Sequence, residues 1–324
     1  MRAIIADHSG GPEVLRLLDV PELEAGPGEI LVETLAVGLN FIEIYQRSGV
    51  YRVDFPFTPG SEAAGRVVAV GEGVTSLAVG DRIMTSEASR TYAERFIVRE
   101  AGAMRVPDSL ADVLSDAQAA ALPLQGLTAH YLANSSAHPE EGDTVLVHAG
   151  AGGVGLILTQ LLAAKGVRVI ATASTPEKRA LCVEAGAVEA IEYEGFGDRT
   201  CELTRGIGVS VVYDGVGKDT FDESLASLAV RGTMVLFGGS SGPVPEFDLQ
   251  RLNAGGSLSI TRPSLGHFLR TPEERAWRYG ELFEAIESGA LKISVGATFP
   301  LAEAAAAHEA LAGRGTTGKV VLIP

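Results

Sequence analysis

Apolar and polar positions follow two successive patterns along this chain. Up to about residue 120, short apolar runs at 2–6, 29–37, 63–70, 82–85 and 94–98 alternate with turns. The turns are Gly26-Pro27-Gly28, Pro59-Gly60, Gly71-Glu72-Gly73 and Gly80-Asp81. Runs of this length, bounded by Gly and Pro, predict a β-rich domain. One stretch breaks the pattern. Residues 40–51 have helical spacing and gather hydrogen-bonding side chains (Asn40, Glu43, Tyr45, Gln46, Arg47, Tyr51). Residues 115–133 also read as helical, interrupted by Pro123 and Gly126.

From Thr144 onward the period changes. Strand-like runs at 144–147, 167–171, 190–191, 209–213, 233–237 and 258–261 alternate with helix-like segments at 156–165, 176–185, 198–205 and 220–228. That alternation predicts an α/β fold with a doubly wound parallel sheet. Residues 272–288 form an amphipathic helix with Trp277, Leu282, Phe283 and Ile286 as its apolar stripe, and the alanine-rich 301–312 is helical. The last run, 318–324, reads as a strand that rejoins the N-terminal β domain. Two domains follow: 1–123, completed by 265–324, and 124–264.

The join at Thr144 carries the chemistry. Thr144-Val145-Leu146-Val147 is β-branched and apolar, as a strand buried on both faces should be. It leads into Gly150-Ala151-Gly152-Gly153-Val154-Gly155, which satisfies G-x-G-x-x-G, and then into a helix ended by Gly166. Strand, glycine turn and helix in that order make a dinucleotide site. Gly150 should allow the tight turn, Gly152 the approach of a pyrophosphate, and Gly155 close packing of helix on strand. The helix start offers unpaired N–H groups and a positive dipole end to phosphates. A site for NAD needs an acidic residue about twenty positions on. The second strand ends instead in Ala171-Thr172-Ala173-Ser174-Thr175, followed by Lys178 and Arg179. Hydroxyl and cationic donors suit a 2′-phosphate, so NADPH is expected. Thr175-Pro176-Glu177 is also a helix cap in its own right.

Composition narrows the partners. The formal net charge of −15 argues against general binding of nucleic acid or an anionic membrane, which needs a basic surface. No apolar run is long enough to span a membrane, and residues 1–7 read as a first strand rather than a signal peptide. With only Cys182 and Cys201, both expected to be buried helical thiols, a cytoplasmic location is expected. The six histidines are scattered without ligand spacing, and His148 is expected to make a structural hydrogen bond. No metal site is expected.

With these residues in view, the chain resembles the zinc-free quinone oxidoreductase family, ζ-crystallin among them, of the medium-chain dehydrogenase/reductase superfamily. The resemblance spans nearly the whole chain. It rests on the glycine motif together with Gly38-Leu39-Asn40-Phe41-Ile42-Glu43-Ile44-Tyr45, Pro59-Gly60-Ser61-Glu62, Gly126-Leu127-Thr128-Ala129, Tyr213-Asp214-Gly215-Val216-Gly217, Phe237-Gly238-Gly239-Ser240 and Thr261-Arg262-Pro263-Ser264-Leu265. It implies a GroES-like first domain beside the Rossmann domain, a homodimer or homotetramer, and NADPH-dependent reduction of a small quinone. Reduction of an enone or enoyl substrate is the alternative. A non-enzymatic crystallin-like or RNA-binding role is a second alternative.

The resemblance also assigns roles. Gly152, Gly153 and Val154 would hold the pyrophosphate, and Ser174, Lys178, Tyr193 and Arg314 the adenosine phosphate end. Thr128, Val216, Phe237 and Ser240 would wall the nicotinamide. Asn40, also beside the cofactor, and Tyr45 would act as catalytic residues in the cleft, with Tyr51 at the substrate. Asn40 and Ser61 stand where zinc-dependent members of the superfamily place metal ligands. Family members often carry Asn in place of Gly239, and the loop 84–91 is short and charged through Glu87 and Arg90. Both departures bear on cofactor contact and substrate choice.

Overall fold

The computed structural model describes all 324 residues, which divide into two compact units, 1–124 with 293–324, and 125–292. Along the chain, the first unit begins with β1 (Arg2–Ile5), β2 (Arg16–Asp19), β3 (Glu29–Gly38), α1 (Phe41–Arg47), β4 (Ala63–Val70), β5 (Arg82–Thr85), β6 (Arg95–Arg99), β7 (Met104–Arg105) and α2 (Asp116–Ala121). The segment read as one helix over 115–133 is α2 followed by α3 (Pro123–Tyr131), because Pro123 lacks the N–H needed to continue α2. A wider, π-type turn over Leu132–Ser136 extends α3.

The second unit continues with β8 (Thr144–Val147), α4 (Gly153–Ala164), β9 (Arg168–Thr172), α5 (Pro176–Glu184), β10 (Glu189–Ile191), α6 (Phe196–Leu203), β11 (Val209–Asp214), α7 (Phe221–Ala226), β12 (Leu228–Leu236), α8 (Gln250–Ala254), β13 (Ser259–Thr261) and α9 (Pro272–Glu287). The chain then returns to the first unit with β14 (Val295–Pro300), α10 (Ala304–Ala312) and β15 (Lys319–Ile323).

The second unit's sheet has the order β10-β9-β8-β11-β12-β13, with every pairing parallel. Counted within the unit, that is 3-2-1-4-5-6, the doubly wound order that leaves a crevice at its switch point between β8 and β11. The glycine turn follows β8, so the order itself puts it at that crevice. Buried Leu146, Ile170, Val212 and Met234 form the inner layer with Phe196, Phe221 and Leu225 from the helices. The strand expected at 233–237 is longer and starts at Leu228, the residue expected to end the preceding helix. Arg231, at φ 65°, bends its first half.

The first unit holds a seven-stranded sheet ordered β14-β15-β3-β4-β5-β7 with β6 also on β3, and a small β1–β2 pair. β15 does rejoin this sheet, antiparallel to β3 through Val321–Gly38 and Leu322–Val37. The core packs Ile4, Ile30, Val32, Val67, Ile83 and Phe96 against Leu301, Ala304 and Ala307 from the C-terminal segment. Three strands were not foreseen: β2, whose residues are mostly exposed, β7, with two residues, and β14, which alternates in exposure. No helix is long and apolar enough to cross a membrane.

Three expectations need correction. The boundary expected at 265 lies at Ile293, because α9 packs within the second unit. Arg278 of α9 is 1% exposed. It donates to Phe268 O at 2.8 Å, to His130 Nδ1 at 3.0 Å and to Ser135 Oγ at 3.2 Å. His130 Nε2 in turn donates to Glu281 at 2.8 Å. Trp277, expected in the apolar stripe, is 43% exposed, and its indole N–H donates to Glu281. Tyr279 takes its place in the buried face. Cys182 is buried as expected, but Cys201 is exposed.

The Arg278 contacts predict a stability effect. Arg278→Met should cost about 3–5 kcal/mol, because Phe268 O and His130 Nδ1 would stay buried without a donor. Urea unfolding measures it. A loss below about 1 kcal/mol would show that these bonds do not hold α9.

Candidate active site

In the second unit, the turn after β8 is made by Ala149 rather than Gly150. Ala149 has φ 51°, and its N–H is held by the Tyr193 hydroxyl at 3.0 Å. Gly150 is required for a different reason: a Cβ there would stand 2.8 Å from Ala171 Cβ and from Cys182 Sγ. At Gly155 a Cβ would collide with the carbonyls of Ala149 and Gly150, so this glycine lets α4 start close against the turn. A Cβ on Gly152 would meet only Ala149 O, at 3.1 Å, which leaves its other side open. At Gly153 the amide end of the Gln125 side chain occupies the space a Cβ would take, and it would have to shift for any other residue. The arrangement fits a dinucleotide: an open backbone at Gly152 and the amide end of the 12-residue α4, with Gly153 and Val154 in its first turn.

At the end of β9, Ser174 is exposed and Thr175 caps α5 by accepting the Lys178 N–H at 3.3 Å. The helix cap and the basic first turn therefore coexist. Arg179 pairs with Glu192 at 2.9 Å, and Lys178 and Ser174 stand at the same end. Tyr193 is on the loop after β10, where its hydroxyl accepts the Ala149 N–H. Arg314 belongs to the first unit, on a left-handed turn after α10 (φ 55°). The second unit thus gathers three of the four residues assigned to the adenosine end.

The loops after β11 and β12 interlock. Asp214, fully buried, accepts the N–H groups of Val216 at 2.7 Å and Gly217 at 2.9 Å. Ser240 N–H donates to Gly215 O, and Ser241 donates through both N–H and Oγ to Val216 O. A Cβ on Gly215 would lie 2.9 Å from the Phe237 ring. Val216, Phe237 and Ser240 are thereby brought together, with Thr128 buried on α3 of the same unit. Gly239 is not dictated by its backbone, since a Cβ would find only ordinary contact.

His148 makes the expected structural hydrogen bonds, through Nδ1 with Thr172 Oγ1 at 2.9 Å and through Nε2 with Ser224 Oγ at 2.8 Å. Burial pushes its pKa down to about 4 against the attraction of Asp214, so the ring is neutral.

In the first unit Asn40 caps α1, and its N–H donates to Glu43 at 2.7 Å. Its side chain lies in a buried ionic cluster. Nδ2 donates to Glu62 at 2.9 Å and to Gly38 O at 3.4 Å, and Oδ1 accepts from Lys319 at 2.7 Å. Lys319 also pairs with Glu62, and both are fully buried. Glu62 accepts the Leu124 N–H through its other oxygen, at 2.7 Å. Reading the sequence missed Lys319 and Glu43. Charged residues at an apolar strand start and on an amphipathic helix were the only signals. Tyr45 is half-buried, with Tyr51 edge-on to it at 5.3 Å between ring centres. A cavity of about 370 Å³ beside α1 is lined by Ile42, Gln46, Asp54, Ser61, Ser89 and Arg90 among others. Asn40, Tyr45 and Tyr51 are not among its walls.

Residues 26–108 match the alcohol dehydrogenase GroES-like domain family, and residues 153–279 match the zinc-binding dehydrogenase family. A quinone oxidoreductase of Pseudomonas aeruginosa is 46% identical over 319 residues, covering 97% of both chains. The chain belongs to the quinone oxidoreductase family of the medium-chain dehydrogenase/reductase superfamily. A 2-haloacrylate reductase of a Burkholderia species is 38% identical, over 99% of this chain and 98% of its own. Among solved structures, a mycobacterial protein in complex with NADPH superposes with a TM-score of 0.96 at 52% identity, covering 100% of both chains. The Escherichia coli quinone oxidoreductase in complex with NADPH gives 0.96 at 40% identity, again over 100% of both chains.

For this quinone oxidoreductase family member the ionic cluster predicts a pH dependence of stability. Burial pushes Glu43 up to about 8, against the pull of Lys319 and the Asn40 N–H. The folded chain keeps a proton that the unfolded chain releases above 4.5, so this contribution is lost as pH rises toward 8. His148 and His308, pushed down by burial to about 4 and about 3, act in the opposite sense, losing stability as pH falls below 6.5. Above about pH 7.5 the unfolded histidines have lost nearly all their protons and add little slope, and there Glu43 should give a fall of up to about 1.4 kcal/mol per pH unit. Glu43→Gln keeps an acceptor for the Asn40 N–H and should flatten that slope. Parallel stability–pH curves for the two proteins would refute it.

Proposed function

We propose that this chain is an NADPH:quinone oxidoreductase that transfers reducing equivalents to a small quinone by positioning rather than by a protein acid. The observation that carries this reading is the near-full-length match to quinone oxidoreductases, on a chain whose dinucleotide loop ends in Ser174 and Lys178 with no carboxylate at the end of β9. NADPH, when bound, supplies a hydride from its nicotinamide ring.

The residues divide the work. The amides of Gly152, Gly153 and Val154 face the pyrophosphate, and Ser174 and Lys178 hold the 2′-phosphate. Val216, Phe237, Ser240 and Thr128 fix the ring plane. Asn40 fixes the start of α1. Its Nδ2 hydrogen, aimed at Gly38 O over 3.4 Å, is its only loosely held donor. The Tyr45 hydroxyl is therefore the stronger candidate to orient the acceptor oxygen and stabilise charge developing there, with Tyr51 packed against it. A hydroquinone anion takes its protons from solvent, so neither residue needs a shifted pKa.

Reduction of a conjugated C=C is the second reading, favoured by the 38% identity to a 2-haloacrylate reductase. Steady-state turnover with NADPH across paired quinones and enones separates the two. We further propose a cytoplasmic enzyme that does not bind nucleic acid and assembles as a homodimer or homotetramer. The charge of −15 supports the absence of nucleic-acid binding, the two unpaired cysteines support a reducing compartment, and the family resemblance supports the assembly.

Two variants test the assignments. Lys178→Ala should weaken NADPH by about 10–150-fold, since a hydrogen bond to a charged group contributes about 1.5–3 kcal/mol, and should barely change NADH binding. Equal losses for both cofactors would remove Lys178 from the phosphate site. Tyr45→Phe should slow single-turnover hydride transfer about 10-fold, equivalent to about 1.4 kcal/mol of barrier, with NADPH affinity retained. A fall to background would reveal an obligatory proton donor, and an unchanged rate would place the acceptor away from Tyr45.

A further inference from the structure

The cavity on α1 has an unusual wall. Ile42 and Gln46 are four residues apart and so share one helix face, giving an apolar floor with an amide at its side. Arg90, also a wall of the cavity, has φ 62°, in the left-handed region that favours glycine. The loop is held on both sides of Arg90. Ala88 N–H donates to Ser61 O at 3.2 Å, Thr91 N–H to Gly60 O at 3.3 Å, and Ser89 bridges to Ile97. The turn is thus fixed by its neighbours while a strained position carries the one side chain with a fork of N–H donors. Strain kept at a cavity wall points to a use for that side chain.

The charges around Arg90 support the same conclusion. Its guanidinium makes no ion pair or side-chain hydrogen bond with the chain, and Asp54, on the same cavity, is not within pairing distance. Glu87, the other charge on this loop, packs over Gly102 and is not a wall of the cavity. Ser61 and Ser89 line the same cavity. A cation with uncommitted donors, in a cavity with serines and an apolar floor, is suited to a ring or alkene bearing a carboxylate or sulfonate.

We propose that Arg90 is a specificity-determining residue that makes this protein favour electron acceptors carrying an anionic substituent. This rests on the reading of the chain as an NADPH-dependent reductase whose acceptor approaches along α1. The apolar part of the acceptor lies on Ile42, its anionic group meets Arg90, and Asp54 tempers the attraction so that the reduced product leaves.

The test compares kcat/KM for a naphthoquinone and for the same naphthoquinone bearing a sulfonate, in wild type, Arg90→Gly, Arg90→Lys and Asp54→Asn. The sulfonate-to-neutral ratio should fall about 5–30-fold in Arg90→Gly, fall less in Arg90→Lys, and rise in Asp54→Asn. Added salt should lower the wild-type ratio. Arg90→Gly should also raise Tm, because glycine relieves the positive φ, so a lost ratio cannot be put down to misfolding. An unchanged ratio in Arg90→Gly overturns the proposal. If wild type reduces neither quinone, the reductase reading fails. Thermal protection by the sulfonated quinone without NADPH then decides the site: protection lost in Arg90→Gly supports it, and equal protection in both proteins overturns it.

Discussion

The buried side chain of Asp214 organises the second unit. Its Oδ1 gathers the N–H groups of Val216 and Gly217, and its Oδ2 accepts from Thr220 and Ser224. Those donors dictate the direction of every hydrogen bond beyond them. Ser224 has one hydrogen, spent on Asp214, so it must accept from His148 Nε2–H. Neutral His148 then has a bare Nδ1, which accepts from Thr172. The backbone carbonyl of Thr172 in turn accepts the Gly150 N–H at 2.9 Å. One directed chain therefore joins the loop bearing Val216 to the glycine turn. Each buried polar group has its partner, so the chain stiffens both ends of the dinucleotide site without leaving a desolvated atom.

The first unit solves the same problem with ions. Lys319 and Glu62 are buried as a pair, which is tolerable only because Asn40 and the Leu124 N–H take up remaining donors and acceptors. A second carboxylate beside that pair would have no counter-charge, so burial keeps Glu43 protonated up to about 8. Lys319 opens β15, and the unit's ionic core is therefore complete only once the end of the chain has returned to β3. Nothing in residues 1–124 replaces that lysine.

The sequence was most legible where periodicity and glycine placement act locally. Strand, glycine turn and helix from Thr144, and the alternation after it, correspond to the parallel sheet. Position along the chain does not reveal which residues meet across it. Asn40 and Lys319 are 279 residues apart, and so the cluster that holds Asn40 could not be read. The same limit applies to Asp214 and His148, whose link runs through hydroxyls on different elements. α9 was assigned to the wrong unit because an amphipathic stripe shows that a helix has a partner but not which one. The stripe of Trp277, Leu282, Phe283 and Ile286 does not include Arg278, which is among the most buried side chains, whereas Trp277 beside it is exposed. Gly150 was credited with a turn that Ala149 makes. Motif spacing cannot distinguish a glycine chosen for its dihedral angles from one chosen for its missing Cβ.

The two polar networks bear on mechanism together. His148 stands next to the glycine turn but is neutral, with both ring nitrogens committed, and has no proton to give at neutral pH. Asn40 is tied to Glu62, Gly38 and Lys319, and Glu43, the one carboxyl that carries a proton near pH 7, directs an oxygen at the Asn40 N–H. The groups in or beside the candidate sites that would be expected to move protons are thus used to hold backbone in place. A reaction on such a scaffold succeeds when the acceptor needs orientation more than protonation. Quinones meet that condition because the reduced ring delocalises the charge it gains. An activated alkene meets it less fully, since a carbanion must be stabilised by its own substituent. Acceptor choice then depends on what the substrate carries and on which side chains meet that group.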